Sequence, residues 1–161
     1  MVVGSWVRVA SGRWWMGREM SDYKELEVWQ VAMSLAEAVN TCTRSFPKEE
    51  LFGLTSQIRR AAVSIPSNIA EGASRAGSKE FLQFLHIARG SASELETQLL
   101  LAEKLGYVAK IDELLANLTS IRKLINGLIR SLKSPLSPSQ PSTMNQQQST
   151  IPPSPTSNHE P

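Results

Sequence analysis

Two adjacent arginines, Arg59 and Arg60, and a carboxylate–guanidinium pair four residues apart, Glu71 and Arg75, stand inside one stretch, "GLTSQIRRAAVSIPSNIAEGASR". Guanidinium groups bind carboxylate or phosphate through paired N–H donors, so ion pairing or phosphate contact is the chemistry these residues offer. Acid–base or nucleophilic chemistry has weaker candidates. His86 has no nucleophile or carboxylate at a recognisable spacing and reads as a surface residue of its helix. Cys42 lies in an apolar stripe and reads as a small core residue. "ARGSASE" has the composition of a phosphate loop, but it sits inside a helical pattern with no strand before it. Its Gly90, Ser91, Ala92 and Ser93 read as small residues that let two helices approach. Glu94 and Glu96 read as helix-surface charges. One Cys and two His supply no metal-ligand set. The expectation is a non-enzymatic protein with no metal and no cofactor.

The basic residues that remain as nucleic-acid candidates are Arg59, Arg60, Arg75, Lys79, Arg89, Arg122, Lys123, Arg130 and Lys133. The sharpest set is Arg59, Arg89, Lys123 and Arg130. Net charge is only +2. Residues 22–133 hold 14 basic and 13 acidic side chains, so bulk charge does not mark a nucleic-acid binder. The deciding feature is spatial. The cations must gather on one face, instead of pairing with Glu71, Glu80, Glu94 and Glu96.

Four helical patterns and no strand pattern occupy residues 23–133. The first, over 23–45, carries two apolar stripes, Trp29/Ala32/Ala36/Val39 and Val28/Val31/Leu35/Ala38/Cys42. The second covers 49–73, with Leu51, Leu54, Ile58, Ala61, Ile65 and Ile69 on its core face. The third opens at Ser78, a good N-cap, and runs to a left-handed stop at Gly106. Its seam, Phe81, Leu85, Ala88, Ala92, Leu95, Leu99 and Ala102, alternates steps of four and three. The fourth starts near Ile111 and keeps the same period through Leu114, Leu118, Ile121, Ile125, Leu128 and Leu132. Long helices with short connections and coiled-coil seams predict an all-α, antiparallel up-down four-helix bundle. The second stripe of the first helix, together with Leu82, Ile87, Leu100 and Leu101 on the third, exceeds what a monomeric bundle buries. That surplus predicts self-association.

Along another line of the second helix, beside its core face, runs a polar row of Gln57, Arg60, Ser64, Asn68, Glu71 and Arg75. At 1.5 Å per residue its ends are about 27 Å apart. A solvated face favours Glu and Lys, whereas this row holds Ser and Asn, which are poor helix formers. The row is read first as a hydrogen-bond network between helices or subunits, with a ligand or nucleic-acid surface and a plain solvated face as the alternatives. Pro66 should kink the helix, with Ser64 and Ser67 placed to satisfy freed backbone groups.

Outside the patterned region, residues 1–21 lack a continuous apolar core of a leader peptide. Met20 directly precedes the regular pattern and is read as the start of the folded chain, with what precedes it an extension, disordered or translated from a mistaken start. Residues 134–161 hold seven of the nine prolines and a Gln146–Gln148 run, a composition that predicts disorder. No run of about 18 apolar residues is present, so no membrane helix is expected and the cytoplasm is the default.

"LEVWQVAMSLAEAV", "FPKEELFGLTSQIRRAAVSIPSNIAEGASR" and "KEFLQFLHIARGSASELETQLLLAEKLGY" resemble the four-helix proteins of the 23S rRNA intervening-sequence family, over about residues 23–132. "GLTSQIRRAAVSIPSNIAEG" and "ARGSASELETQL" are the most specific portions. The resemblance implies a bundle that assembles as a ring, a homopentamer. The accessory protein of diversity-generating retroelements is similar in fold, and its basic pentamer partners a reverse transcriptase. RNA or a nucleic-acid-processing protein is therefore the implied partner, beside the chain itself. A protein scaffold with no nucleic-acid role is the alternative. The leading residues and the Pro/Ser tail lie outside the family pattern and inherit nothing from it.

Deleting residues 135–161 is expected to leave the thermal midpoint and the assembly size unchanged, because the tail carries no core-forming pattern. Calorimetry and light scattering on the truncated chain check this, and a large fall in either would show that the tail docks.

Overall fold

The computed structural model describes residues 22–75 and 77–133 in full, and the backbone of 6–8 and 14–16. The N- and C-terminal segments assigned above to disorder lie largely or wholly outside the described residues. Strands β1 (Trp6–Arg8) and β2 (Trp14–Met16) pair antiparallel, Val7 opposite Trp15. Hydrophobic periodicity carries no sign of this ribbon. The rest is helical: α1 (Glu27–Cys42), α2 (Leu54–Ala73), α3 (Ser78–Lys104) and α4 (Asp112–Lys133).

The four helices share one core. Each packs on two others, α1 and α3 each on α2 and α4, with the α2–α3 contact the most extensive. The seam residues of α3 are all buried, as are Ile111, Leu114, Leu118, Ile121, Ile125 and Leu128 of the last seam. Leu132 is partly buried against the core. Each heptad stripe therefore meets a partner within the chain, which is what fixes a bundle in water.

Several boundaries differ from the periodic reading. The first helix is shorter than 23–45. Tyr23–Glu25 is a separate 3-10 turn capped by Asp22, Leu26 is extended, and Thr43–Ser45 is again 3-10. Leu26 is nevertheless buried, which anchors the chain where the helix pattern breaks. The second helix begins at Leu54 instead of 49. Lys48–Glu50 forms a 3-10 turn and the backbone of Gly53 leaves the helical region. Leu51, placed in the core by periodicity, is consequently exposed. The Glu50 carboxylate closes the gap, accepting from the Leu54 amide at 2.9 Å. Ser78 is the first helical residue and not the N-cap, which falls on Gly77. Gly106 has φ +76°, with its amide on the Glu103 carbonyl at 2.9 Å and the Tyr107 amide on Ala102 at 3.0 Å. That is the left-handed stop, made with the two bonds that satisfy the last carbonyls.

Pro66 is buried inside α2, which stays one helix on both sides of it. The Ser67 hydroxyl bonds the Val63 carbonyl at 2.8 Å, one residue beyond the Ala62 carbonyl that the proline leaves without its amide. The two stripes of the first helix are largely absorbed by the chain's own core. Val28, Ala32, Leu35, Ala36 and Val39 are buried, and Trp29, Val31, Ala38 and Cys42 pack against them. On α3, Ile87, Leu100 and Leu101 remain exposed, joined by Leu105 and by Phe52 at 92% exposure.

Residue numbers descend along α2 as they ascend along α3. Glu50 meets Tyr107, Ser64 meets Ser91, and Gly72 sits against Phe81 and Phe84. A Cβ at Gly72 would stand 2.6 Å from the Phe84 Cβ. Gly90 differs. It is exposed, with nothing within 4 Å of a Cβ built there, so within the chain it serves no helix approach. Its neighbours Ser91 and Ala92 are the buried small residues.

Gly72→Ala is therefore expected to lose about 1–3 kcal/mol through overpacking. Gly90→Ala is expected to gain up to about 1 kcal/mol from helix propensity. Urea denaturation of both variants checks the pair, and equal effects would contradict the assigned contact.

Candidate nucleic-acid interface

The polar row on α2 divides into three parts. Gln57 and Arg60 are exposed. Ser64 and Asn68 form a network with α3: the Ser64 and Ser91 hydroxyls share a hydrogen bond at 2.9 Å, and Asn68 Nδ2 donates to the Ser64 carbonyl at 2.8 Å and to its hydroxyl at 3.0 Å. This is why a half-buried stripe tolerates poor helix formers. The Asn68 and Ser64 side chains satisfy one another between two closely packed helices. Glu71 and Arg75 form an ion pair at 2.7 Å with both side chains about half exposed. The Arg75 guanidinium also lies 5.6 Å from the Phe84 ring centre, which turns it along the surface instead of outward.

Arg59, read as an outward cation, is drawn inward. Its Nε donates to the Thr43 hydroxyl at 2.8 Å, and that hydroxyl donates to the Val39 carbonyl at 2.9 Å. Thr43 is buried, so Arg59 ties α2 to the end of α1. Arg122 is likewise committed. It makes two parallel bonds to Glu96, at 2.7 and 2.6 Å, across α3 and α4. The hydrogen bonds from Arg122 hold the Glu96 carboxyl below its usual range, against the opposing effect of burial. Burial pushes the Cys42 thiol up, which suits a packing residue and not a nucleophile.

Arg89, Lys123 and Arg130 are brought together. With Asn126, Ile129 and Lys133 they line a groove of about 530 Å³ between α3 and α4. None of these cations is ion-paired among the described residues. Arg89 is held in place by neutral partners, Nη1 donating to Asn126 Oδ1 at 3.2 Å and Nη2 to His86 Nδ1 at 3.2 Å. A guanidinium has no acceptor, so His86 must offer its bare Nδ1 here.

The sequence explains the lack of carboxylates. Residues 81–93 and 114–133 contain no Asp or Glu, and these are the halves of α3 and α4 that meet at Arg89 and Asn126. Charge runs read along the chain did not expose this, because the two segments are distant in sequence. Asn126 was missed for the same reason. Comparing acid-free stretches between the two heptad seams would have found both. Among the described residues no group of three or more His, Cys, Asp or Glu could hold a metal ion, and no helix is long and apolar enough to cross a membrane.

The profile of a family described as "23S rRNA-intervening sequence protein" matches residues 24–127. Among solved structures, one similar chain is a protein of unknown function from the S23 ribosomal protein family of Bacteroides thetaiotaomicron. It is 25% identical, with a TM-score of 0.59, over 64% of this chain and 98% of that one. No curated protein matches this chain.

The Glu96–Arg122 pair sets an acid limb of stability. A carboxyl held low in the folded state contributes fully above its unfolded pKa of about 4.3 and loses that contribution as pH falls through its folded value. The stability difference between the native chain and Glu96→Gln is therefore expected to be constant above about pH 5 and to shrink below about pH 4. Denaturation midpoints measured across that window check it.

Proposed function

Because the chain belongs to the 23S rRNA-intervening sequence protein family, we propose that it is a non-enzymatic, homo-oligomeric interaction protein that contacts RNA through the groove of Arg89, Lys123 and Arg130. One observation carries this reading: these three cations share a groove without a carboxylate, while Arg75 and Arg122 are neutralised by Glu71 and Glu96. Unpaired cations held on rigid helices bind phosphate without first breaking an ion pair. Arg59 is removed from that surface by its bond to Thr43 and acts as a structural tie.

The bundle is read as antiparallel and up-down, supported by the descending contacts between α2 and α3 and by the short connections. Assembly as a ring of five is proposed from the family resemblance and from apolar side chains left uncovered on α3, Ile87, Leu100, Leu101 and Leu105. In a ring each groove would repeat, so a chain of low net charge would present a strong positive rim. The exposed Gln57 and Arg60 are assigned to subunit contact. The cytoplasm remains the proposed location.

The protein-scaffold reading has its own support. A groove of about 620 Å³ between α1 and α2 is lined by Tyr23, Trp29, Met33, Val63, Pro66 and Ala70, and suits an apolar protein segment.

Replacing Arg89, Lys123 and Arg130 together by Gln is expected to preserve the oligomer and weaken RNA binding. The slope of log affinity against log salt should fall by about 2–3, since each lost phosphate contact removes about 0.7–0.9. Fluorescence anisotropy with a labelled RNA hairpin at several salt concentrations measures it. If the native chain shows no salt-dependent binding at low ionic strength, the RNA reading fails and the scaffold reading stands.

A further inference from the structure

We infer that the α3–α4 groove takes the paired backbone of a double-stranded nucleic acid in preference to a single strand, an inference that rests on the phosphate-binding reading above. The walls are the first reason. Arg89, Lys123, Asn126, Ile129, Arg130 and Lys133 include no Phe, Tyr or Trp, and the ring that adjoins them, at Arg89, is the small His86 imidazole. Single-strand binders combine a basic track with aromatic platforms, and each stacked base adds about 1–3 kcal/mol. Without such a platform, a single strand gains only phosphate contacts here and must order its backbone to make them. A duplex brings its phosphates already fixed and at higher density, one charge per about 1.7 Å of axis.

The spacing is the second reason. Lys123 and Arg130 are seven residues apart on α4, two turns along one face, or about 10.5 Å. Asn126 lies between them and holds Arg89 from α3 at 3.2 Å. The three cations thus form a triangle on two rigid helices, not a line that a flexible strand could follow. Arg89 is preorganised by Asn126 and His86, so its planar fork loses little freedom on binding phosphate. A fixed triangle rewards a ligand whose phosphates are themselves fixed.

The test uses the full-length chain with four labelled probes of one sequence: an RNA duplex, a DNA duplex and the corresponding single strands. With three contacts, the salt slope should be steeper by about 0.6 on duplex than on single strand, so duplex preference grows about fourfold for each tenfold lowering of salt. Arg89→Gln, Lys123→Gln and Arg130→Gln should each reduce the duplex slope by about 0.9, and Arg130→Lys should restore it. Preference for the RNA duplex alone, or for both duplexes, supports the inference and shows whether the 2′-hydroxyl is read. Single strands bound as well as duplexes would overturn it while leaving phosphate binding intact. Duplex preference that survives all three Gln variants would overturn it by placing the site elsewhere. No binding to any probe would overturn both readings.

Discussion

Gly72 brings α2 and α3 closer than a side chain at that position would permit, since its Cβ would meet Phe84 and Phe81. Much of the remaining placement follows from this contact. With one end of α2 held against the start of α3, Ser64 falls level with Ser91 and Glu50 level with Tyr107. Glu50 then serves two elements at once, accepting from the first amide of α2 and from the Tyr107 hydroxyl beyond α3. Burial and the negative charge of Glu50 both push the Tyr107 phenol up, which keeps it a donor. The fourth helix is set against the third by Arg122 on Glu96 and by Arg89 on Asn126.

Once the helices are so fixed, the charges sort themselves. Arginines near carboxylates are neutralised, as at Glu71 and Glu96, and Arg59 is held by a hydroxyl. The facing halves of α3 and α4 have no carboxylate to offer, so Arg89, Lys123 and Arg130 are left without an ion-pair partner among the described residues. Arg130 and Lys133 also complement the carbonyl end of α4. That role stabilises the helix without neutralising the side chains, and it leaves them available to phosphate.

Most of the fold was legible because the seams of α3 and α4 keep a strict period and Gly106 marks a stop that only a left-handed residue makes well. The helix starts were less legible. Glu50 caps α2 from outside it, and Gly53 breaks a pattern that apolar spacing alone carries through to Leu51. Glu71–Arg75 was readable as a pair because its partners are four residues apart on one helix. Arg59–Thr43, Arg122–Glu96 and Arg89–Asn126 were not, because each joins two helices whose relative register is set by packing. Three of the four sharpest cation candidates nonetheless converge. The fourth is diverted by a buried threonine that the helical wheel of α2 cannot show.

The unpaired cations on the acid-free faces of α3 and α4 are the proposed nucleic-acid surface. Amide hydrogen exchange of the full-length chain with and without a short RNA duplex tests it most directly, because it maps contact without altering any residue. Slowed exchange is expected in residues 86–93 and 120–133, with residues 54–67 unchanged. Protection centred on Arg59 to Ser67, or no duplex-dependent protection in α3 and α4, would contradict it.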